Sequence, residues 1–379
     1  MIVGAIREVK DGENRVGLSP LSVVELVKAG ASVLVERGAG RGVGFSDDEY
    51  VRAGAEIVKD AISVVRRVDL LVKVKEPIES EYFLLDEFKE KVLFTYLHLA
   101  AAPKELTLRL IRNNITVIAY ETVEDEKGRL PLLMPMSEIA GVLAVQYGAQ
   151  YLQKKYNGRG LTLGRIQNAV SAKVVVVGSG VVGSKAALTA AGMGCSVTVL
   201  EKNVARIEQL KKEFESYLGK ELYSNVSFFE STKENTDSQI KEADLLIGAV
   251  LVKGMKAPQV ISKEQIVSMK NGAVIVDVAI DQGGCIWGSR PTTHEDPMYM
   301  LEGKIYCCVA NMPGQVALQS TQALTSSTLP YLIKMVKFGV IDYLKKDLFF
   351  ARGLNVYNGG IVYKGVADAL NLPYNKINL

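Results

Sequence analysis

Four polar side chains in this sequence could bind and transform a small carboxylic acid. Arg15 and Lys75 carry positive charges that could hold a carboxylate, while His98 and Asp281 could take up or release a proton. Lys75 and His98 each follow directly on a predicted strand, and open parallel sheets bind their ligands at the carboxyl ends of the strands. For each residue by itself, a salt bridge, a helix cap or a surface charge is the alternative interpretation.

His98 lies in the stretch TYLHLAAA, residues 95–102, between Leu97 and Leu99, in a chain that has only two histidines. A lone histidine among apolar neighbours is usually a structural residue whose ring nitrogens are satisfied by backbone groups. Its position at the end of a strand, where open parallel sheets bind ligands, leaves catalysis as the other interpretation. The flanking leucines are then expected to pack and to hold the ring in place.

A glycine-rich loop predicts a dinucleotide site. The stretch VVVVGSGVVGSKAA, residues 174–187, carries Gly178, Gly180 and Gly183 in the spacing G-x-G-x-x-G, directly after an apolar strand. The first glycine permits a tight turn, the second lets backbone amides approach a pyrophosphate, and the third lets helix and strand pack closely. The alternative is a tight turn in an α/β domain that binds nothing.

The acid that ends the next predicted strand, Glu201, indicates which dinucleotide would bind. A carboxylate at this position accepts hydrogen bonds from ribose hydroxyls and repels a 2′-phosphate, so NAD is favoured over NADP. Arg206 leaves NADP open, because a nearby arginine can accommodate that phosphate.

The order of elements places these residues in two sheets. Apolar runs alternate with helical patterns along the chain, which is typical of an α/β protein with doubly wound parallel sheets. A helix begins at the Ser19–Pro20 pair, others are predicted at 103–111 and 136–157, and the segment 320–343 is expected to be mainly helical. The strands are predicted at 2–6, 32–35, 70–74, 92–97, 116–120, 173–177, 196–200, 226–229, 244–247 and 273–276.

Length and charge limit the classes of partner. With 379 residues and 48% hydrophobic content, the chain is longer than one core usually grows, so two domains are expected. Lysines and arginines number 45 against 42 acids, which leaves a formal net charge of +3. This balance favours neither a nucleic-acid partner nor a membrane surface.

Cysteine usage and the absence of targeting patterns lead to further expectations. Cys195, Cys285, Cys307 and Cys308 lack a C-x-x-C spacing, which favours buried reduced thiols over a disulfide framework or a metal site. The first residues contain no signal-peptide pattern, and the most apolar segment is shorter than the roughly 20 residues of a membrane-spanning helix. We expect a soluble cytoplasmic protein without a resident metal.

Ten motifs spread over the whole chain resemble the family of alanine dehydrogenases and the related NAD-binding subunits of proton-translocating transhydrogenases. The motifs are REVKDGENRVGLSP (7–20), VKVKEP (72–77), TYLHLAA (95–101), MSEIAG (136–141), GSGVVG (178–183), GAVLV (248–252), VDVAIDQGGC (276–285), SRPTT (289–293), CVANMPG (308–314) and YKGVADAL (363–370).

The resemblance implies an activity and a domain plan. The activity is the NAD-dependent, reversible oxidative deamination of L-alanine to pyruvate and ammonium. The plan is a Rossmann NAD-binding domain, residues 136–319, inserted in a discontinuous substrate domain of residues 1–135 and 320–379. Family members usually assemble as homohexamers.

The resemblance also implies roles for single residues. Arg15 and Lys75 would hold the carboxylate and carbonyl of pyruvate, and His98 and Asp281 would be the acid/base residues. The implied cofactor contacts beyond the glycines are Ser137, Val181, Val182, Glu201, Arg206, Val250, Leu251, Val278, Ala279, Ile280, Asp281, Arg290, Val309, Ala310, Asn311 and Met312.

Two other functions stay open at this stage. A transhydrogenase-type NAD-binding subunit would share most of these motifs, and an amino-acid dehydrogenase of the same family could use a larger substrate. The sequence also leaves open which of His98 and Asp281 handles the proton on the carbonyl side.

Overall fold

The computed structural model describes residues 1–250 and 257–377. The chain divides into two compact units: unit 1 consists of Met1–Met136 and Gly314–Leu379, and unit 2 consists of Ser137–Pro313.

Both units are built from strands with flanking helices. The strands are β1 (Ile2–Ala5), β2 (Ser32–Glu36), β3 (Ala55–Val58), β4 (Leu70–Val72), β5 (Val92–Thr95), β6 (Thr116–Ala119), β7 (Lys173–Val177), β8 (Ser196–Glu201), β9 (Val226–Glu230), β10 (Leu245–Gly248), β11 (Val274–Asp277), β12 (Tyr299–Leu301), β13 (Lys304–Cys307), β14 (Leu354–Tyr357) and β15 (Gly360–Ile361). The α-helices are α1 (Pro20–Lys28), α2 (Asp47–Arg52), α3 (Ala61–Arg67), α4 (Tyr82–Asp86), α5 (Lys104–Arg112), α6 (Met134–Tyr151), α7 (Val181–Gly192), α8 (Val204–Tyr223), α9 (Lys233–Glu242), α10 (Lys263–Ser268), α11 (Ala317–Phe338), α12 (Val340–Lys346), α13 (Leu348–Ala351) and α14 (Lys364–Leu370). Short 3-10 helices span Arg41–Val43, Glu79–Glu81, Tyr120–Thr122, Lys154–Tyr156, Val278–Gln282 and Met312–Val316.

The sheet of unit 1 has eight strands in the order β15-β14-β6-β5-β4-β1-β2-β3. Strands β1 to β6 are parallel, and β14 pairs antiparallel with both β6 and β15. The chain moves outward from β1 through β2 and β3, then returns to the other side of β1 for β4, β5 and β6. At such a reversal, the loops that leave β1 and β4 diverge, and ligands bind in the crevice outside the carboxyl ends.

Unit 2 repeats this plan with the order β12-β13-β11-β10-β7-β8-β9. All of its strand pairs are parallel except that of β12 with β13. Strand β7 has the sequence KVVVV, and its four valines are all buried, as expected for a strand covered by helices on both faces. The order reverses between β7 and β10, which places the glycine-rich loop at this unit's crevice. The fold class expected from the sequence is confirmed.

The end of the chain returns to the core of unit 1. Val356 and Val366 are buried in the same cluster as Leu93 and Leu106, which belong to the N-terminal sheet and its helices. A unit made from both ends of the chain follows from this packing.

All ten predicted strands are present, and their ends differ from the predicted ones by at most two residues. Five further strands were not predicted: β3, β12, β13, β14 and β15. Each of them has four residues or fewer, and two-residue β15 is too short to show a hydrophobic period.

One predicted helix is shorter than expected. Helix α6 ends at Tyr151 rather than at residue 157, because a separate 3-10 turn follows and Asn157 adopts a left-handed backbone with φ 64°. The segment 320–343 is mainly helical as expected, and Gly339 with φ 79° separates its two helices, α11 and α12. In the described part of the chain, no helix combines the length and apolarity needed to span a bilayer.

Candidate substrate and cofactor sites

Three of the four predicted chemical residues lie in unit 1 at the carboxyl ends of neighbouring strands. Lys75 follows β4 and His98 follows β5, while Arg15 lies in the loop between β1 and α1. Tyr96 connects two of them. Its ring is parallel to that of His98, with centroids 6.0 Å apart. Burial raises the pKa of Tyr96, and the positive charge of Arg15 opposes that rise.

Arg15 is buried, and the carboxylate of Glu13 holds it. Arg15 donates from Nε to Glu13 Oε1 at 2.7 Å and from Nη2 to Oε2 at 2.5 Å, a bidentate arrangement. The Arg15 amide donates to the same carboxylate at 3.0 Å. Burial alone would lower the pKa of Arg15, but the hydrogen bonds and charge of Glu13 outweigh it and raise that pKa. The guanidinium therefore stays charged inside the unit, where it can bind an anion.

The backbone at Lys75 rests on a second buried carboxylate, that of Glu8. The amide of Val74 donates to Glu8 Oε1 at 2.7 Å, and the amide of Lys75 donates to Oε2 at 3.4 Å. Lys73 Nζ lies 3.0 Å from Glu8 and 2.9 Å from Glu81, and it is 1% exposed. A buried cluster of one cation and two carboxylates thus supports the turn that carries Lys75.

His98 is half-buried, and its own backbone is unusual. It has φ 47°, in the left-handed region that non-glycine residues seldom adopt. Its amide donates to Glu121 Oε1 at 2.6 Å. Glu121 lies in the turn Tyr120–Thr122 that follows β6, the strand next to β5.

Sequence reasoning missed these carboxylates. Glu8, Glu13 and Glu121 were not among the predicted site residues. No spacing rule pairs Glu8 or Glu121 with a backbone amide on another strand. The high charge of the REVKDGENR segment was the available signal for Glu8 and Glu13.

In unit 2, the glycine-rich loop has the local structure predicted for it, between β7 and α7. Gly178 has φ 93°, which only glycine adopts without strain. A side chain at Gly183 would place its Cβ 1.9 Å from the carbonyl oxygen of Gly178, so helix and strand pack too closely for any other residue. At Gly180, a Cβ would meet nothing within 4 Å. The loop therefore leaves open space above the first turn of α7.

Neighbouring segments close around this loop. The Cβ of a residue at position 178 would meet the carbonyl oxygen of Ala249 and the side chain of Val250, after β10. A Cβ at Gly141 would meet the carbonyl oxygen of Val182 at 2.5 Å, so α6 packs directly on the start of α7. Ser137 lies one turn before Gly141 on α6. Leu251 is outside the described residues.

Glu201 lies at the end of β8 and faces the glycine-rich loop. It accepts hydrogen bonds from the amide and hydroxyl of Ser179, and from the amide of Asn203 at 2.8 Å. Partial burial would raise the pKa of Glu201, but these hydrogen bonds outweigh it and lower that pKa. An ionised carboxylate is therefore held beside the loop.

Arg206 does not pair with Glu201. Its guanidinium donates to Glu213, seven residues further along α8, at 2.8 Å and 3.0 Å. Arg206, the residue that could have accommodated the 2′-phosphate of NADP, is thus paired with a residue of its own helix.

The turn after β11 carries Asp281, which is exposed. A different carboxylate holds this turn. Asp277 is fully buried and accepts the amides of Cys285 at 2.8 Å, Ile286 at 3.0 Å and Ala279 at 3.1 Å. Asp277 therefore holds both ends of the turn and fixes the position of Asp281. Asp277 itself is buried, whereas Asp281 is exposed.

The other predicted cofactor residues line the same edge of the unit 2 sheet, after β11 and β13. Those whose side chains are half-buried are Val278, Ala279, Ala310 and Asn311. Those whose side chains are buried are Ile280, Val309 and Met312. Val181 and Arg290 are exposed, and the Arg290 guanidinium lies over the ring of Tyr299 at 4.3 Å.

This edge fits a dinucleotide. The open space at Gly180, beside the first turn of α7, is a place for a pyrophosphate. The ionised Glu201 is an acceptor for ribose hydroxyls. All four cysteines are buried free thiols, as expected. Within residues 1–250 and 257–377, no three His, Cys, Asp or Glu side chains group as a metal site would require.

The chain matches two family models along most of its length. Residues 4–140 match the model described as "Alanine dehydrogenase/PNT, N-terminal domain", and residues 144–364 match its C-terminal counterpart.

Curated proteins and solved structures show the same likeness. The chain is 46% identical over 376 residues to an alanine dehydrogenase of Methanococcus maripaludis, and 45% identical over 374 residues to one of Mycolicibacterium smegmatis. Each alignment covers 99% of this chain and 98% of the other protein. A solved L-alanine dehydrogenase superposes with a TM-score of 0.90 at 45% identity, covering 98% of this chain and 99% of the other. A transhydrogenase from Sinorhizobium meliloti shares the fold, with a TM-score of 0.80 at 24% identity over 96% of this chain and 100% of the other.

Proposed function

Because the chain belongs to the alanine dehydrogenase/PNT family, we propose that it is an NAD-dependent alanine dehydrogenase. It catalyses the reversible oxidative deamination of L-alanine to pyruvate and ammonium. The observation that carries this proposal is 45–46% identity to curated alanine dehydrogenases over nearly the full length of both proteins. Homohexameric assembly in the cytoplasm is part of the same proposal and rests on the family alone.

The two parts of the chain divide the work. The domain made from residues 1–135 and 320–379 binds the amino acid or the 2-oxo acid, and the domain of residues 136–319 binds the cofactor. Supporting this division, the buried cations Arg15, Lys73 and Lys75 are in the first domain and the open glycine-rich loop is in the second.

Arg15 and Lys75 anchor the substrate. A buried guanidinium forms strong hydrogen bonds with a carboxylate, because little water competes for them, although Glu13 already offsets part of the charge of Arg15. Lys75, at the end of the adjacent strand, contacts the carbonyl oxygen of pyruvate or the group that replaces it. Together they hold the substrate by one end and leave its α carbon free to react.

His98 and Asp281 move the protons. NAD⁺, when bound, would supply the acceptor for the hydride that leaves the α carbon of alanine. Water must then add to the oxidised substrate and ammonium must leave, and both steps need proton transfer at nitrogen and oxygen. A half-buried imidazole and an exposed carboxylate are both groups that can give and take protons in such steps. Which of the two serves the carbonyl oxygen is left to the experiment on their variants.

The cofactor is NAD in preference to NADP. Glu201 is ionised beside the loop and would repel a 2′-phosphate, while Arg206, the cation that could have compensated, is paired with Glu213. The remaining contacts would come from Ser137, Gly178, Gly180, Val181, Val182, Gly183, Val250, Leu251, Val278, Ala279, Ile280, Asp281, Arg290, Val309, Ala310, Asn311 and Met312.

The decisive experiment follows NADH absorbance with pyruvate and ammonium, and then with larger 2-oxo acids, with other amines and with NADPH. We expect rapid NADH oxidation with pyruvate plus ammonium and slow oxidation with bulkier acids or with NADPH. A preference for a larger 2-oxo acid would show that the substrate is a larger amino acid than alanine. Tight NADH binding without turnover on any 2-oxo acid would make the protein a transhydrogenase-type binding subunit instead.

A further inference from the structure

Glu121 has no role in the reaction as described so far, yet its carboxylate contacts the backbone of a proposed acid/base residue. We propose that Glu121 is a positioning residue that holds His98 in its reactive orientation without transferring protons itself. The inference rests on the proposed function for the role of His98, whereas the contact between the two residues does not.

The backbone of His98 is in a conformation that needs support. Its φ of 47° lies in the left-handed region, which a histidine adopts only when its surroundings determine it. The Glu121 carboxylate supplies this support from the adjacent strand. Oε1 accepts the His98 amide at 2.6 Å, and the Leu97 amide lies 3.3 Å from both oxygens. Hydrogen bonds to an ionised acceptor are stronger than neutral ones.

The sheet register explains why this acid reaches these amides. Strands β5 and β6 are parallel, and Thr95 pairs with Ala119 at their carboxyl ends. Leu97 follows Thr95 by two positions, and Glu121 follows Ala119 by two. The pairing of two buried strands therefore holds the Glu121 carboxylate rigidly beside the backbone of Leu97 and His98.

The other side of His98 is tied as well. Its carbonyl oxygen accepts the amides of Ala101 at 2.8 Å and Ala102 at 3.0 Å. Its ring is parallel to that of Tyr96, whose hydroxyl donates to the carbonyl oxygen of Leu132 at 2.5 Å. These contacts restrain the carbonyl side and the ring of His98, and the Glu121 carboxylate restrains its amide side.

The same contacts argue against proton transfer by Glu121. Both of its oxygens are directed at backbone amides, which hold protons too tightly to exchange them in a catalytic cycle. Its effect on the reaction therefore passes through the position of His98.

The test uses the fact that the chain has only two histidines, His98 and His294. In a His294→Gln background, carbethoxylation of the remaining imidazole by diethyl pyrocarbonate, followed by absorbance, reports on His98 alone. The variants are Glu121→Gln, which keeps the shape but loses the charge, and Glu121→Asp, which keeps the charge. Glu124→Gln is the matched control, since that nearby carboxylate pairs with Arg352.

For Glu121→Gln we expect the turnover number to fall about 10–100-fold, because displacement of a catalytic group by about 1 Å has an effect of this size. The KM for pyruvate should change little, and the carbethoxylation rate of His98 should rise several-fold. Glu121→Asp should lie between parent and Glu121→Gln in both measurements, and Glu124→Gln should match the parent.

Two results would overturn the proposal. One is an unchanged carbethoxylation rate with an unchanged turnover number. The other is an unchanged carbethoxylation rate with a loss of activity as large as that of His98→Ala, which would make Glu121 itself an acid or base. If the parent shows no alanine dehydrogenase activity, the proposed function fails, but the chemical reactivity of His98 still decides whether Glu121 positions it.

Discussion

Lys73 Nζ lies 3.0 Å from the carboxylate of Glu8, and both side chains are 1% exposed although 65 residues separate them in the chain. Burial opposes the charge of Lys73, but Glu8 and Glu81 outweigh it and raise the pKa of the amine. The pKa of Glu8 is raised because burial outweighs the attraction of Lys73. The turn that carries Lys75 is therefore supported by an ion cluster whose members depend on one another.

Replacing Lys73 should destabilise unit 1 strongly. Lys73→Met leaves two buried carboxylates without their cation, and breaking a buried pair in this way costs about 3–5 kcal/mol. The loss would be measured by urea unfolding followed by circular dichroism. Arg67→Met is the matched control, because Arg67 pairs with Glu56 at the surface, and exposed pairs contribute little. Equal losses in both variants would contradict the stabilising role of the buried cluster.

The effect of Lys73→Met should depend on pH. The pKa of Glu8 is raised in the folded state, so its contribution to stability is fully present below its ordinary pKa of 4.5 and is lost as pH rises through the folded value. Without Lys73, that pKa rises further. The destabilisation caused by Lys73→Met should therefore be larger at about pH 8 than at about pH 5. A destabilisation of the same size at both pH values would contradict ionisation of Glu8.

Asp277→Asn should loosen the turn that carries Asp281. The buried carboxylate accepts three amides, and an asparagine in its place would direct an NH₂ group at one of them. The expected loss is about 1–3 kcal/mol. The single tryptophan, Trp287, directly follows one of the bonded residues, so its fluorescence reports unfolding of this region. Asp281→Asn makes the same exchange at an exposed position and should leave the unfolding midpoint near that of the parent.

Two glycine variants should separate packing from cofactor binding. In Gly183→Ala the added Cβ would clash with the carbonyl oxygen of Gly178, so the unfolding free energy should fall by about 1–3 kcal/mol or more. In Gly180→Ala the Cβ enters open space, and φ is −63°, so stability should be unchanged. NADH affinity should nevertheless fall at least about tenfold in Gly180→Ala, because the methyl group takes the space of the pyrophosphate. Unimpaired NADH binding by that variant, measured by fluorescence titration, would place the cofactor elsewhere.

Removal of either proposed proton carrier should slow the chemistry and spare binding. His98→Ala and Asp281→Asn should each lower the turnover number by at least about 100-fold, the usual contribution of a positioned acid or base. NADH binding should stay close to that of the parent. Comparison of their pH–rate profiles with the parent shows which residue serves the carbonyl oxygen. Near-normal turnover in one variant would remove that residue from the mechanism.

Glu201→Gln should change cofactor preference. Loss of the negative charge should raise kcat/KM for NADPH about tenfold relative to that for NADH, since repulsion of the 2′-phosphate is removed. A second readout is stability. The pKa of Glu201 is lowered in the folded state, so its stabilising effect is present above its ordinary value of 4.5 and is lost as pH falls through the folded value. The parent should therefore melt higher than Glu201→Gln near neutral pH, and the gap should close in acid. An unchanged cofactor ratio would show that other contacts set the preference.

Much of the fold could be read from local patterns. The alternation of apolar strands and amphipathic helices predicted ten strands and two doubly wound sheets, and the Ser19–Pro20 pair predicted the start of α1 with its cap on the amide of Ser22. The antiparallel strands at the sheet edges were missed. Strands such as β14 and β15 are short, and they pair with a sheet formed more than 200 residues earlier, which no local period reports.

The sequence by itself determined the residues that could do chemistry and the strands that carry them, because turn glycines, hydrophobic periods and strand ends are properties of neighbouring residues. Only the tertiary structure decided what surrounds each one: Glu13 on Arg15, Glu8 behind Lys75, Glu121 on the amide of His98, Asp277 behind the turn of Asp281, and Glu213 on Arg206. Most of these carboxylates reach their partners across strands or turns. Burial then determines how strongly each one acts, since a charge removed from water must find its partner within the protein.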